Sequence, residues 1–158
     1  MAATAGKPPG LNIIPDKADL EKTNSICKRF ILASFIFFLI NITMGYLMLS
    51  RVIPSAPVFV HAHTGLYGWV TMLIFGVAYK LLPTAFANKN RVYSLRLAEV
   101  HFWMSIVGMS GLLLCGYISQ FSASSILFHM KEAFGAVLLA SGFIFVINMW
   151  KTFGKPRG

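Results

Sequence analysis

Charge is scarce in this chain, and acidic charge is scarcest of all. Of 158 residues 12% are charged, with 5 Asp or Glu against 14 Lys or Arg, while 56% are hydrophobic. About a quarter of the residues in a soluble domain are charged, so the composition argues against a soluble fold. The long apolar stretches contain no acid, because Glu99 and Glu132 stand only at their ends. Ion-coupled transporters and proton pumps usually carry a carboxylate at membrane depth, which disfavours transport. Cysteine occurs only at Cys27 and Cys115, at opposite ends of two different stretches. That separation excludes a disulfide, and there is no C-x-x-C metal or redox motif. A Ser-His-Asp order, a P-loop and a dinucleotide fingerprint are missing as well.

What remains is a set of neutral windows. Phe30 to Ser50, Val52 to Tyr79, Val100 to Met130 and Ala133 to Trp150 are free of charge. A helix needs about 20 residues to cross a hydrocarbon core of about 30 Å, so each window holds one crossing. The sequence therefore predicts an all-α membrane protein with four transmembrane helices, at 29–50, 58–82, 97–119 and 126–151. Lys7, Lys17, Lys22, Lys28 and Arg29 precede the first span; Lys80, Lys89, Arg91 and Arg96 separate the second and third; Lys151, Lys155 and Arg157 follow the fourth. Only Arg51 and Lys131 fall on the opposite side. Positive residues stay inside, so both termini are expected in the cytoplasm, in a bacterial inner membrane. The net charge of +9 is then a topology signal and needs no nucleic-acid partner.

Residues 1–28, polar and broken by proline, read as a cytoplasmic tail without a secretory signal; 29–152 form the membrane domain, and 153–158 a second short tail. Pro54 and Pro57 mark the outer loop before span two, and Pro83 is expected to end that span. Tyr79 and Trp150 read as aromatics of the inner interface, Tyr46 and Tyr117 of the outer one. Glycines recur within the spans, where small residues let helices or flat cofactors approach the backbone.

The histidines carry the chemistry. His61 and His63 sit just inside the outer start of span two, and His129 lies at similar depth in span four. His101 opens span three on the opposite side and, beside Arg96 and Glu99, reads as an interfacial group. Ionisable or ligating side chains at membrane depth are costly and usually have a partner or cofactor. Residues two apart on an α-helix point about 200° away from each other, so His61 and His63 cannot both bind one iron. The His61 face continues through Gly65, Gly68 and Met72, a smooth strip that suits a porphyrin, while His63 shares its face with Tyr67, Val70 and Ile74. Neutral imidazole suits haem iron, and two axial imidazoles make a low-spin electron-transfer site.

The strings His61-Ala62-His63-Thr64-Gly65, Gly68-Trp69-Val70, Phe75-Gly76-Val77-Ala78-Tyr79, Leu82-Pro83, Tyr93-Ser94 and His101-Phe102-Trp103 resemble part of a known family. It is the haem-copper oxidase subunit I family, cbb-type, whose tenth and eleventh helices they are similar to. Phe134-Gly135-Ala136-Val137 through Thr152 resembles its last helix. The resemblance implies that His61 ligates a high-spin haem and His63 a low-spin one, both towards the outer side, with His101 no ligand. The family's copper ligands and the second ligand of the low-spin haem come from earlier helices without counterpart here. The expectation is therefore haem b, one or two, without copper, and no complete oxygen or nitric oxide reduction by this chain alone. His129 matches no family histidine but lies at the right depth to pair with His63.

Three readings follow. The leading one is an electron-transfer subunit of the respiratory chain, a b-type cytochrome set among other membrane subunits or copies of itself and serving a cytochrome c or another outer-face carrier. The second is a haem protein that binds or senses nitric oxide or oxygen. The third is a haem-free structural or assembly subunit. His61, His63 and His129 are the axial candidates, and Gly65 and Gly68 the porphyrin-facing residues.

Overall fold

The computed structural model describes residues 17–53, 58–87 and 92–154. Their regular structure is helical throughout: α1 (Lys17–Leu49), α2 (Val58–His63), a π-helical segment (Thr64–Thr71), α3 (Met72–Ala87), α4 (Leu95–Ile118) and α5 (Ser125–Gly154). α2, the π segment and α3 form one continuous rod, so four helical units are long and apolar enough to cross a membrane. Pro54, Pro57, Lys89, Arg91 and residues 1–16 and 155–158 lie outside the described residues.

α1 begins well before the apolar run. Its 33 residues make a rod of about 50 Å at about 1.5 Å per residue, longer than the hydrocarbon core, so its first turns project beyond it. The segment counted as the end of a polar tail is amphipathic: Thr23, Ile26, Cys27 and Phe30 are buried, while Glu21, Lys22 and Lys28 are exposed. α1 ends in a Schellman turn, with Arg51 at a left-handed φ of 58°. The Arg51 N–H donates to the Met48 carbonyl and the Val52 N–H to the Leu47 carbonyl, both at 3.1 Å. Pro83 does not end its span, since α3 continues to Ala87. A proline near a helix end forfeits one backbone bond and can be carried by the turns before it.

α1 packs along the π segment and α3, and α4 packs along α5; α3 meets α5 to close the bundle. Glycine makes the second of these seams tight. A Cβ at Gly108 would lie 2.9 Å from Leu138, and one at Gly111 only 2.4 Å from the Phe134 ring. The α4 start is clamped by α5. The Ser94 N–H donates to Asn148 Oδ1 and Asn148 Nδ2 donates to the Ser94 carbonyl, each at 3.0 Å, while the Tyr93 N–H donates to Thr152 Oγ1 at 2.8 Å. Arg29 of α1 holds Glu99 of α4 through two bonds of 2.6 Å. Large apolar side chains such as Leu32, Ile36, Leu66, Val107 and Leu139 point outward unpaired. Such a surface suits lipid rather than water.

Candidate functional site

The π segment decides how the histidine end is arranged. In a π-helix the backbone bonds run i to i+5, and such turns occur often at functional sites. Thr71 fits that spacing, its hydroxyl donating to the Leu66 carbonyl five residues back at 2.8 Å. The wider turns break the 3.6-residue phase assumed for an α-helix. His63, Tyr67, Val70 and Ile74 therefore do not share one face. Val70 and Ile74 are exposed, whereas Tyr67 turns inward and bonds Ser141 at 2.9 Å and Ser105 at 3.4 Å.

The strip on the other side is continuous, but α1 covers it. Gly45 stands opposite His61, Asn41 opposite Gly65, Phe37 opposite Gly68, and Phe30 with Ile31 opposite Gly76. Each step of about one turn along the rod is matched by a step back along α1, the register of two antiparallel helices. A Cβ on Gly68 would lie 2.8 Å from Phe37, and one on Gly65 3.1 Å from Asn41. Gly65 and Gly68, expected to face a porphyrin, accommodate another helix in this structure.

The three axial candidates differ. His61 is half-buried, its Cε1 3.2 Å from where a Gly45 Cβ would be, and its Nδ1 is buried with no hydrogen-bond partner. His63 Nδ1 lies 2.9 Å from the Phe59 carbonyl, and its ring packs on Phe59 with centroids 4.1 Å apart. A carbonyl only accepts, so Nδ1 is the donor of that bond and Nε2 lies on the other side of the ring. His129 has a side chain 75% exposed, with Nδ1 3.2 Å from Glu132 Oε2. α2 packs on α1 and α4, and α5 on α4 and α3. Among the described residues, neither a hydrogen bond nor a ring contact joins His129 to His63; His63 meets Phe59, and His129 meets Glu132 and Phe128. Among those residues, no three of His, Cys, Asp and Glu gather into a metal site.

His101 is not interfacial. It is wholly buried, its Nδ1 3.0 Å from the Tyr79 hydroxyl, within a box of Phe30, Phe75 and Phe145 rings. Tyr79, at 1% exposure, is likewise a core residue and not an interfacial aromatic. α3 and α4 face each other there, and each polar tip finds its partner in the other. Trp150, Tyr46 and Tyr117 are exposed, as interfacial aromatics should be. Asn41 and Gly45, which meet Gly65 and His61, are not among the residues that the sequence singles out. Their four-residue spacing in an otherwise bulky apolar helix was the available sign of a face reserved for a partner.

Four helical spans long and apolar enough to cross a bilayer define an integral membrane protein. The family model for cytochrome c and quinol oxidase polypeptide I matches residues 54–154, and the chain belongs to that family. It is similar to the bacteroid cytochrome c oxidase subunit 1 homolog of Bradyrhizobium diazoefficiens, at 25% identity over 96% of this chain and 32% of the relative. It is also similar to the Cbb3-type cytochrome c oxidase subunit CcoN1 of Stutzerimonas stutzeri, at 23% identity over 78% of this chain and 32% of the relative. A shorter match, 43% identical over 31% of this chain, joins it to the cytochrome c oxidase subunit 1 homolog of Azorhizobium caulinodans. The chain thus spans about a third of the length of the first two relatives.

Proposed function

We propose that this chain is a haem b-binding electron-transfer subunit, related to oxidase subunit I, with His63 as an axial ligand. One observation carries the reading: the Phe59 carbonyl engages the His63 Nδ1, so Nε2 is the ring nitrogen left to meet a metal. A bond of this kind from the other ring nitrogen fixes the tautomer of metal-bound histidines and raises their basicity. A bound haem would supply one-electron chemistry, with the protein tuning its potential by ligand and burial. His61 fits less well, since α1 lies across the strip it belongs to. The second axial ligand of His63 comes from another subunit or another copy of this chain. The positive-inside distribution supports both termini in the cytoplasm and the histidines near the outer face, where a cytochrome c or a similar carrier would exchange electrons. We assign no copper to the chain and no oxygen reduction to it alone.

A second reading has its own support. The filling of the Gly65–Gly68 strip by Asn41 and Phe37 suits a haem-free subunit that keeps the family's helix packing. Absorption spectra of the purified protein, oxidised, dithionite-reduced and carbon-monoxide-treated, decide between them. Sharp reduced bands indifferent to carbon monoxide support the electron-transfer reading, and a carbon monoxide shift replaces it with gas binding. A colourless protein from haem-replete cells overturns both in favour of the structural reading.

A further inference from the structure

We propose that the groove between α1 and α3 at the basic end of the bundle binds an anionic phospholipid. Lys28 and Lys80 hold the phosphate, and an acyl chain lies along the apolar wall below. The groove encloses about 470 Å³, within the range of about 300–1,000 Å³ typical of small-molecule sites. Ile31 and Leu32 of α1 and Gly76, Val77 and Leu81 of α3 form its wall, and no acidic residue lines it. Leu32 is 49% and Leu81 57% exposed, so the wall opens towards lipid rather than into the bundle.

The polar groups are confined to one end. Lys28 and Lys80 reach the groove from different helices, and Lys80 Nζ donates to Asn24 Oδ1 at 2.5 Å. That bond steadies one ammonium at the rim while leaving it further donors, since a lysine carries three. Both lysines stand at the level where the first span meets Arg29, which is where a leaflet's phosphates lie beside such a helix. Two cations above an uncharged apolar wall match a phosphate above a hydrocarbon chain. Free phosphate would gain nothing from the wall, and a zwitterionic headgroup would bring its own cation against the lysines. Basic pockets between transmembrane helices are known to take anionic headgroups in this way. The groove lies at the other end of α1 from the residues that meet His61, so the site does not depend on haem held there.

Electron spin resonance with spin-labelled lipids tests it, in vesicles of phosphatidylcholine with phosphatidylglycerol as the probe. The wild-type chain should restrict labelled phosphatidylglycerol several-fold more strongly than labelled phosphatidylcholine. Each surface lysine contributes about five-fold at most to such a preference, so Lys28→Gln and Lys80→Gln should each reduce it and the double variant abolish it. Lys151→Gln is the control, a basic residue on the far helix whose ammonium rests over the Tyr93 ring. It should leave the preference intact. A wild type without preference, or a Lys151→Gln loss equal to that of the groove variants, overturns the proposal. The latter result would assign the effect to the general field of the basic face. Both groove lysines are exposed, and circular dichroism confirms that their variants fold.

Discussion

Gly68→Ala distinguishes the two roles open to the glycine strip, a seam for α1 or a wall for a flat cofactor. A Cβ at Gly68 would stand 2.8, 2.9 and 3.0 Å from Cγ, Cβ and Cδ1 of Phe37, where ordinary contact begins near 3.4 Å. The shortfall at Cγ is about 0.6 Å (3.4 − 2.8). Turning the Phe37 ring cannot relieve it, because the Phe37 Cβ is fixed to the α1 backbone. α1 itself has to move. Overpacking of this kind costs about 1–3 kcal/mol, and the better helix propensity of alanine returns at most about 1 kcal/mol. A net loss of about 1–2 kcal/mol is expected, with haem uptake retained. Unfolding in mixed micelles titrated with dodecyl sulfate, followed by circular dichroism, gives the stability, and the reduced absorption spectrum gives the haem. Unchanged stability together with lost haem would refute the packing argument and return Gly68 to the cofactor.

Gly111→Ala should be destabilising alone and be relieved by Phe134→Leu, since all three close atoms at Gly111, at 2.4 to 2.5 Å, belong to the Phe134 ring. A double-mutant cycle in the same unfolding assay should return a coupling of about 1 kcal/mol or more; additivity within about 0.5 kcal/mol means that the ring simply swings away. Asn148→Leu removes both bonds to the Ser94 backbone and should cost about 1–3 kcal/mol, because the Ser94 N–H loses its acceptor. Hydrogen exchange at the start of α4 should accelerate with it, and unchanged protection there contradicts the clamp. His63→Ala should abolish the reduced haem spectrum, whereas His129→Ala leaves it intact. The reverse pattern would transfer the ligand role to His129.

Composition gives the four spans because crossing a bilayer demands long neutral runs, and runs survive any error of a few residues at their ends. It fails where polarity and burial part company. Lys17 to Arg29 is charged on average yet buries Thr23, Ile26 and Cys27, which a periodicity of 3.6 reveals and a hydropathy sum conceals. Tyr79 and His101 read as interfacial for the same reason, since each lies near an end of its own span. Their mutual bond of 3.0 Å is a property of two helices together.

The His-x-His pair shows both the reach and the limit of sequence reasoning. That its two members serve different directions follows from helical geometry, and the structure gives them different surroundings. The direction of Tyr67 did not follow, because the π segment adds backbone between the pair and the rest of the rod. Unpartnered buried atoms mark where the end is incomplete. Asn41 Oδ1 on α1 and His61 Nδ1 on α2 are both buried without partners, and the residues they face, Gly65 and Gly45, lie one turn apart across the same seam. Such groups are uncommon in folded proteins, since each forfeits its hydration without return. His101 Nε2 and Arg29 Nε are the other two; aromatic rings enclose the first, and the second belongs to a guanidinium already held by Glu99. His61 is only half-buried and stands two residues from His63. Of the four unpartnered atoms, the two that face each other's helix across one seam, Asn41 Oδ1 and His61 Nδ1, are therefore those at the His-x-His end.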